Sequence, residues 1–193
     1  MVLYHGSSIH IKDGYLRPNK AFDIEDYTPK VYLAHSFQVA TLYSLNPIKE
    51  YIEKKYHSND KVSAVSAHFN CEKNPIIFYE LYENMLEELF HKKTYVYKCV
   101  VDESLLEKQN EMIFTTKNTI PIIEMFEIPD LYQELLVLQQ KGLLEIKRFN
   151  ELKYIDKYYL DDAITGRAYY CSSECERNFF REKFGWVSAL RFR

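Results

Sequence analysis

Three short segments of the chain combine residue types that can hold a planar ring and stabilise positive charge. Residues 3–7 (LYHGS) end a β-prone run with a histidine, a glycine and a serine. Residues 31–34 (VYLA) form a second β-prone run, and the helical pattern after them carries Ala40 and Tyr43. Residues 109–111 (QNE) open a later strand pattern. A tyrosine ring, a glycine backbone and a carboxylate suit stacking, amide binding and cation stabilisation respectively.

The order of these segments resembles the ADP-ribosyltransferase superfamily, in particular its H-Y-E branch, which includes the poly(ADP-ribose) polymerases and many small bacterial members. The first segment resembles the strand-borne His-Gly-Ser/Thr of that branch. The second resembles its Tyr-x-Ala, which is followed by a helix carrying Ala and Tyr. The third resembles the Gln/Glu-x-Glu that supplies the catalytic glutamate. Together the three segments cover a small part of the 193 residues.

The resemblance implies a role for each residue of the first two segments. His5 would hydrogen-bond a hydroxyl of the adenosine ribose of NAD, and Gly6 would bind the nicotinamide carboxamide through its main chain. Ser7 would assist through its hydroxyl. Tyr32 would stack on the nicotinamide ring, and Tyr43 belongs to the same cofactor-binding set.

The resemblance also implies a catalytic pair. Glu111 would accept a hydrogen bond from the 2′-hydroxyl of the nicotinamide ribose and stabilise the oxocarbenium-like centre formed as nicotinamide leaves. Gln109 would orient the acceptor group. The insert between Tyr32 and Glu111 contains extra helical sequence, which leaves the alignment of the glutamate open. Three other glutamates near predicted strands are alternatives for the role: Glu103, Glu107 and Glu124.

The implied activity is that of an NAD-dependent ADP-ribosyltransferase, a glycosyltransferase that cleaves the nicotinamide–ribosyl bond and transfers ADP-ribose to a macromolecule. NAD is then a co-substrate, and the acceptor is an unknown protein or nucleic acid. A toxin or a regulator fits this activity, with an antitoxin as a candidate partner. Two alternatives stay open: an RNA 2′-phosphotransferase of the same fold family, and a catalytically silent binding module.

No metal is predicted. The histidines outside the first segment lack the i, i+4 pairing of a metal site: His10, His35, His57, His68 and His91. Cys171 and Cys175 resemble half of a zinc-binding set, which Cys71 and Cys99 could complete. The unusual spacing favours buried, unpaired thiols instead.

Composition limits the class of protein. A chain of 193 residues and 23.1 kDa with 47% hydrophobic and 27% charged residues fits a globular domain and excludes a disordered chain. The net charge of -3 does not favour a nucleic-acid backbone along the whole surface. Four cysteines are too few for a disulfide framework, and no leader or spanning segment is evident, so we expect a cytoplasmic location and no membrane association.

The predicted fold is α+β, with two small antiparallel sheets clasping an NAD cleft and helices outside. Strands are predicted at 2–4, 30–34, 62–69, 94–101, 111–116 and 119–128. Helices are predicted after Ser36, after Asn46, and over 75–90, 131–141 and 174–184. Pro129 and Asp130 interrupt the pattern, which divides the chain into a transferase-like domain (1–130) and a helical C-terminal extension packed on it (131–193).

Overall fold

The computed structural model describes residues 1–19, 28–57, 69–171, 173–187 and 190–192. The strands are β1 (Val2–Ser7), β2 (Tyr15–Leu16), β3 (Val31–Ala34), β4 (Phe69–Asn70), β5 (Ile76–Tyr79), β6 (Thr94–Val100), β7 (Glu107–Lys108), β8 (Ile113–Thr116), β9 (Ile120–Pro121), β10 (Glu124–Ile128) and β11 (Leu144–Lys147). The α-helices are α1 (Phe37–Tyr43), α2 (Pro47–Tyr56), α3 (Met85–Leu89), α4 (Leu131–Gln140), α5 (Tyr154–Tyr169) and α6 (Glu174–Lys183). The predicted α+β class is confirmed. Across the described ranges, no helix combines the length and the apolar character needed to span a membrane.

The largest sheet has six strands in the order β10-β6-β1-β3-β8-β7, and every neighbouring pair is antiparallel. Strand β1 pairs with β6 along its full length, from Val2 to Ser7. With β3 it pairs at a single position, where Tyr4 lies opposite Ala34. The sheet is therefore two three-stranded halves, β10-β6-β1 and β3-β8-β7, joined at one residue pair. In place of two separate small sheets, the structure has one sheet with a weak central join.

Two smaller sheets complete the β structure. Strands β11, β5 and β4 form one of them, in which β11 runs parallel to β5, and β2 pairs with β9 in the other. The single helix predicted over residues 75–90 is wrong, because residues 76–79 form β5 and the helix α3 starts at Met85. The run Ile-Ile-Phe-Tyr has high β-propensity and lies between two partner strands, so sheet pairing overrides the helical spacing.

Several predicted elements are confirmed at their ends. Helix α1 starts after Ser36, whose Oγ accepts a hydrogen bond from the Val39 amide at 3.3 Å. Asn46 caps α2 and Asp130 caps α4, while Gly142, with a φ of 70°, follows the end of α4. The strand predicted over 62–69 lies outside the described residues except at its last position.

The large sheet separates two apolar cores. On one face, Val39 and Ala40 of α1 belong to the same core as Val96 of β6. This core extends to the helices of the second half of the chain. On the other face Leu3, Leu33 and neighbouring residues form a smaller core. Successive residues of β1 alternate between these faces, as a pleated strand requires. We call them the helix face and the cleft face.

Both predicted regions of the chain contribute to the large core. Leu135 of α4, Leu160 of α5 and Phe180 of α6 are buried there beside Phe78 of β5. Strand β11 lies within the predicted helical extension and adds to the β5 sheet. The sequence analysis did not predict this strand. It is only four residues long, and its two apolar residues, Leu144 and Ile146, are too few to establish a period of two.

Candidate functional site

A cleft of about 660 Å³ opens where the two halves of the large sheet separate. Its volume lies within the range of about 300–1,000 Å³ found for small-molecule sites. It is lined by β1, β3 and the segment that connects β1 to β3: His5, Ser7, Ile9, His10, Ile11, Lys12, Asp13, Tyr15, Leu16, Arg17, Asn19, Lys30, Val31 and Tyr32. The cleft therefore brings together His5, Ser7 and Tyr32 from the predicted site.

His5 bridges the gap between the two halves of the sheet. Its Nδ1 lies 2.8 Å from the carbonyl oxygen of Tyr32, and because a carbonyl only accepts, Nδ1 carries the proton. Burial lowers the pKa of His5, which keeps the ring neutral. Its Nε2 is then a hydrogen-bond acceptor.

A column of stacked rings begins and ends at two residues that line the cleft, His10 and His5. The His10 and Tyr95 centroids are 4.9 Å apart, those of Tyr95 and Tyr97 6.3 Å, and those of Tyr97 and His5 6.4 Å, with interplanar angles of 17°, 22° and 29°. The hydroxyl of Tyr97 accepts from the Ile11 amide at 2.7 Å and donates to a carbonyl two residues earlier at 3.0 Å. The column fixes both His5 and the segment that borders the cleft.

Sequence reasoning missed this column. The alternation in β6 places its two tyrosines on one face, and that signal was available in the sequence. The register that sets Tyr97 opposite His5 joins strands about ninety residues apart in the sequence, and no local pattern encodes it.

Three basic side chains line the cleft: Lys12, Arg17 and Lys30. Lys30 Nζ lies 3.2 Å from Glu107 Oε2, and Arg17 pairs with Asp13. The hydrogen bond from Arg17 lowers the pKa of Asp13. Lys12 is exposed, and no ion pair to it occurs within the described ranges. Arg17 and Lys30 are each balanced by a carboxylate, so Lys12 gives this side of the cleft a net positive charge, which favours an anionic group.

Gly6 lies on the helix face. A Cβ at this position would be 1.9 Å from the carbonyl oxygen of Ala40, so the glycine allows α1 to approach β1. The Tyr32 side chain also packs against the helix-face core, while its carbonyl meets His5. The pleat thus separates Gly6 and the Tyr32 ring from His5 and Ser7, which face the cleft. The predicted carboxamide and stacking contacts of Gly6 and Tyr32 stay predictions.

Ser7 and Tyr43 are held by local contacts. Ser7 Oγ accepts from the Ile9 amide at 3.0 Å, at the start of the segment that borders the cleft. Tyr43, the last residue of α1, packs edge-on against Phe69 with centroids 4.8 Å apart and does not border the cleft. Burial raises the pKa of Tyr43 to about 12, so its hydroxyl stays protonated.

The predicted catalytic pair lies in the turn between β7 and β8. The Glu111 side chain is 83% exposed, pairs with Lys108 at 2.6 Å and does not border the cleft. Gln109 Nε2 lies 2.9 Å from Thr115 Oγ1, and Thr115 is opposite Tyr32 in the β3–β8 pair. Gln109 is therefore hydrogen-bonded to β8, the strand that pairs with the Tyr32 strand, whereas Glu111 is exposed in the turn.

The alternative glutamates occupy different positions. Glu107 contacts the cleft-lining Lys30. Glu124 and Lys98 are 3.2 Å apart in the β10-β6-β1 half of the sheet. Glu103 is exposed in a 3-10 helix. Glu107 is thus the candidate glutamate with a direct contact to a residue of the cleft.

The four cysteines are free thiols. Burial raises the pKa of Cys99 and of Cys171 to about 12, which keeps both protonated. No three His, Cys, Asp or Glu side chains lie together as a metal site requires, in the part of the chain that the structure describes.

Comparisons of the chain with protein-family models, with curated proteins and with solved structures found no match.

Proposed function

We propose that the protein binds NAD in this cleft and transfers the ADP-ribosyl group to a macromolecular acceptor. The observation that carries the proposal is the position of His5. It lies at the join between the two halves of the sheet, in a cleft of nucleotide size, with Nδ1–H bonded to the Tyr32 carbonyl. A neutral imidazole with Nε2 as acceptor suits a ribose hydroxyl.

The charges around the cleft support the same ligand. Lys12, Arg17 and Lys30 lie along its border, and NAD carries a pyrophosphate. Arg17 can keep its pairing with Asp13 and Lys30 its pairing with Glu107, while the exposed Lys12 ammonium group adds positive potential.

The reaction breaks the bond between C1′ of the ribose and the nicotinamide nitrogen. Nicotinamide leaves with the bonding electron pair, a nucleophile of the acceptor forms a new bond to C1′, and the nucleophile loses its proton. A carboxylate beside C1′ stabilises the oxocarbenium-like charge in between. Glu111 is nominated by the sequence resemblance and Glu107 by its contact with Lys30.

A binding module without turnover is the second candidate. Asp13, which lines the cleft, and Glu107, which contacts the cleft-lining Lys30, are both ion-paired, and Glu111 is exposed in a turn that does not line the cleft. If neither glutamate reaches C1′, NAD binds and is not cleaved.

Nicotinamide release from NAD, measured on the purified chain with thermal shift as the binding readout, distinguishes the two. We expect release by the wild type and its loss in one of the two variants Glu107→Gln and Glu111→Gln. Glu145→Gln, at an exposed position in the β11-β5-β4 sheet, is the control and should have no effect. Thermal stabilisation by NAD without release supports the binding module. Absence of both signals in the wild type contradicts NAD as the ligand.

A further inference from the structure

Helix α5 has an inner face in the core and an outer face rich in exposed aromatic side chains. Leu160 and Ile164 are buried on the inner face. On the outer face Tyr154 is 84% exposed, Ile155 67% and Tyr158 66%. Large apolar side chains exposed together on one helix mark an interaction site more often than isolated ones do.

The outer residues follow the spacing of a helix–helix contact. Ile155, Tyr158, Asp162, Thr165 and Tyr169 are separated by three, four, three and four positions, which is the a/d spacing of a heptad seam. We call these five residues the outer seam.

There is also space beside the seam. A Cβ built on Gly166 has no atom within 4 Å, so a partner side chain can reach the helix backbone there. A helix packed along α5 would therefore contact large side chains at the N-terminal end, such as Ile155 and Tyr158, and an open position at Gly166 near the C-terminal end.

The acidic residue in the middle of the seam disfavours a second copy of the chain as the occupant. Asp162 is exposed, and no cation pairs with it among the residues described. A second copy of α5 packed symmetrically on the seam, parallel or antiparallel about its centre, would bring two Asp162 carboxylates together. Like charges facing each other oppose such a contact, whereas a cation at that position favours it.

We propose that the outer seam docks an amphipathic helix of a partner protein, with a Lys or Arg on its apolar face opposite Asp162. Helix α5 has 16 residues and is about 24 Å long at 1.5 Å per residue. We expect a contact with one helix of this length to bury less than the roughly 1,200–2,000 Å² of a stable complex, and binding therefore to be reversible. The proposal is independent of NAD binding.

Two synthetic helical peptides test the proposal on the full chain. Both have Leu at every a and d position except the central a position, which is Lys in one peptide and Glu in the other. By fluorescence anisotropy, we expect the wild type to bind the Lys peptide about tenfold more tightly than the Glu peptide. Asp162→Lys should reverse this preference.

Two further variants separate surface effects from folding. Tyr158→Ser should weaken binding of the Lys peptide, while Val137→Ser, at an exposed position on α4, should not. Equal affinity of the wild type for the two peptides, or no binding of either, contradicts the proposal. Sedimentation of the wild type as a dimer that Tyr158→Ser dissociates also contradicts it, since the occupant is then a second copy.

Discussion

The two faces of the large sheet differ in how completely they are filled. On the helix face α1 lies so close to β1 that Gly6 has no room for a side chain. On the cleft face the same strand borders a volume of about 660 Å³, and its His5 ring offers an acceptor nitrogen. In the second half of β1, Gly6 therefore contributes to packing on the helix face, while His5 and Ser7 line the cleft.

This difference teaches how the site is kept in position. Close packing on the helix face fixes β1 without using any group of the cleft. The cleft face can then keep polar groups that would be costly in a closed core, because its ring column holds them by stacking and hydrogen bonds. We therefore expect changes on the helix face to cost the most stability, and changes on the cleft face to cost less stability and also to affect the ligand.

The largest effect is expected at Gly6. The added methyl of Gly6→Ala would collide with the Ala40 carbonyl, so we expect a loss of about 3 kcal/mol or more in unfolding free energy. Gly166→Ala is the control, since open space surrounds it and alanine favours a helix by about 0.5–1 kcal/mol. Urea unfolding of the two variants measures both, and similar stabilities would show that α1 moves away from β1 easily.

The next effect concerns the ring column. Tyr97→Phe removes the hydroxyl that bonds the segment bordering the cleft, so we expect a loss of about 1–2 kcal/mol and faster hydrogen exchange at the Ile11 amide. Tyr95→Phe is the matched control, because no hydrogen bond to its hydroxyl occurs within the described ranges. Slow exchange at Ile11 in Tyr97→Phe would show that other contacts hold the segment.

A pH dependence should follow from His5. Burial lowers its folded pKa below the usual 6.5, so the unfolded chain takes up the proton first as the pH falls. The stability from neutral His5 is therefore complete above about pH 6.5 and declines below it. His5→Gln should flatten this decline in urea midpoints measured between pH 8 and pH 5. An equal decline in the variant would assign it to other groups.

The smallest effect on stability is expected at Glu111. Its exposed ion pair with Lys108 contributes little, so Glu111→Gln should change the unfolding free energy by less than about 0.5 kcal/mol. Thermal unfolding checks this. A larger loss would mean that the turn between β7 and β8 supports the sheet, and any loss of turnover in the variant would then have a structural explanation.

Local signals predicted much of the secondary structure. The cap at Ser36, the β-branched and aromatic run of β6, and the stop at Gly142 each depend on neighbouring residues alone. Strands β5 and β11 were missed because their pairing with each other joins residues 76–79 to residues 144–147. A strand of four residues carries too little periodicity to outweigh a helical pattern beside it.

The candidate site divides in the same way. His5, Ser7 and Tyr32, which were chosen by sequence resemblance, line one cleft, although the Tyr32 ring packs against the core on the other face of the sheet. The tyrosines of β6 and the cations of the connecting segment were missed, because their approach depends on strand register and on the path of a loop. Glu111, chosen by sequence resemblance, lies at the tip of a turn outside the cleft.

The sequence by itself determined the α+β class and the residues at which α1, α2 and α4 begin. These follow from short-range sterics, hydrogen bonding and the two-residue period of a strand. The tertiary structure alone decided that the sheet halves join at Tyr4 and Ala34, that α1 closes over Gly6, and that a cleft stays open at His5. Each of these depends on contacts between residues far apart in the chain, whose free energy is set by packing geometry that no local pattern contains.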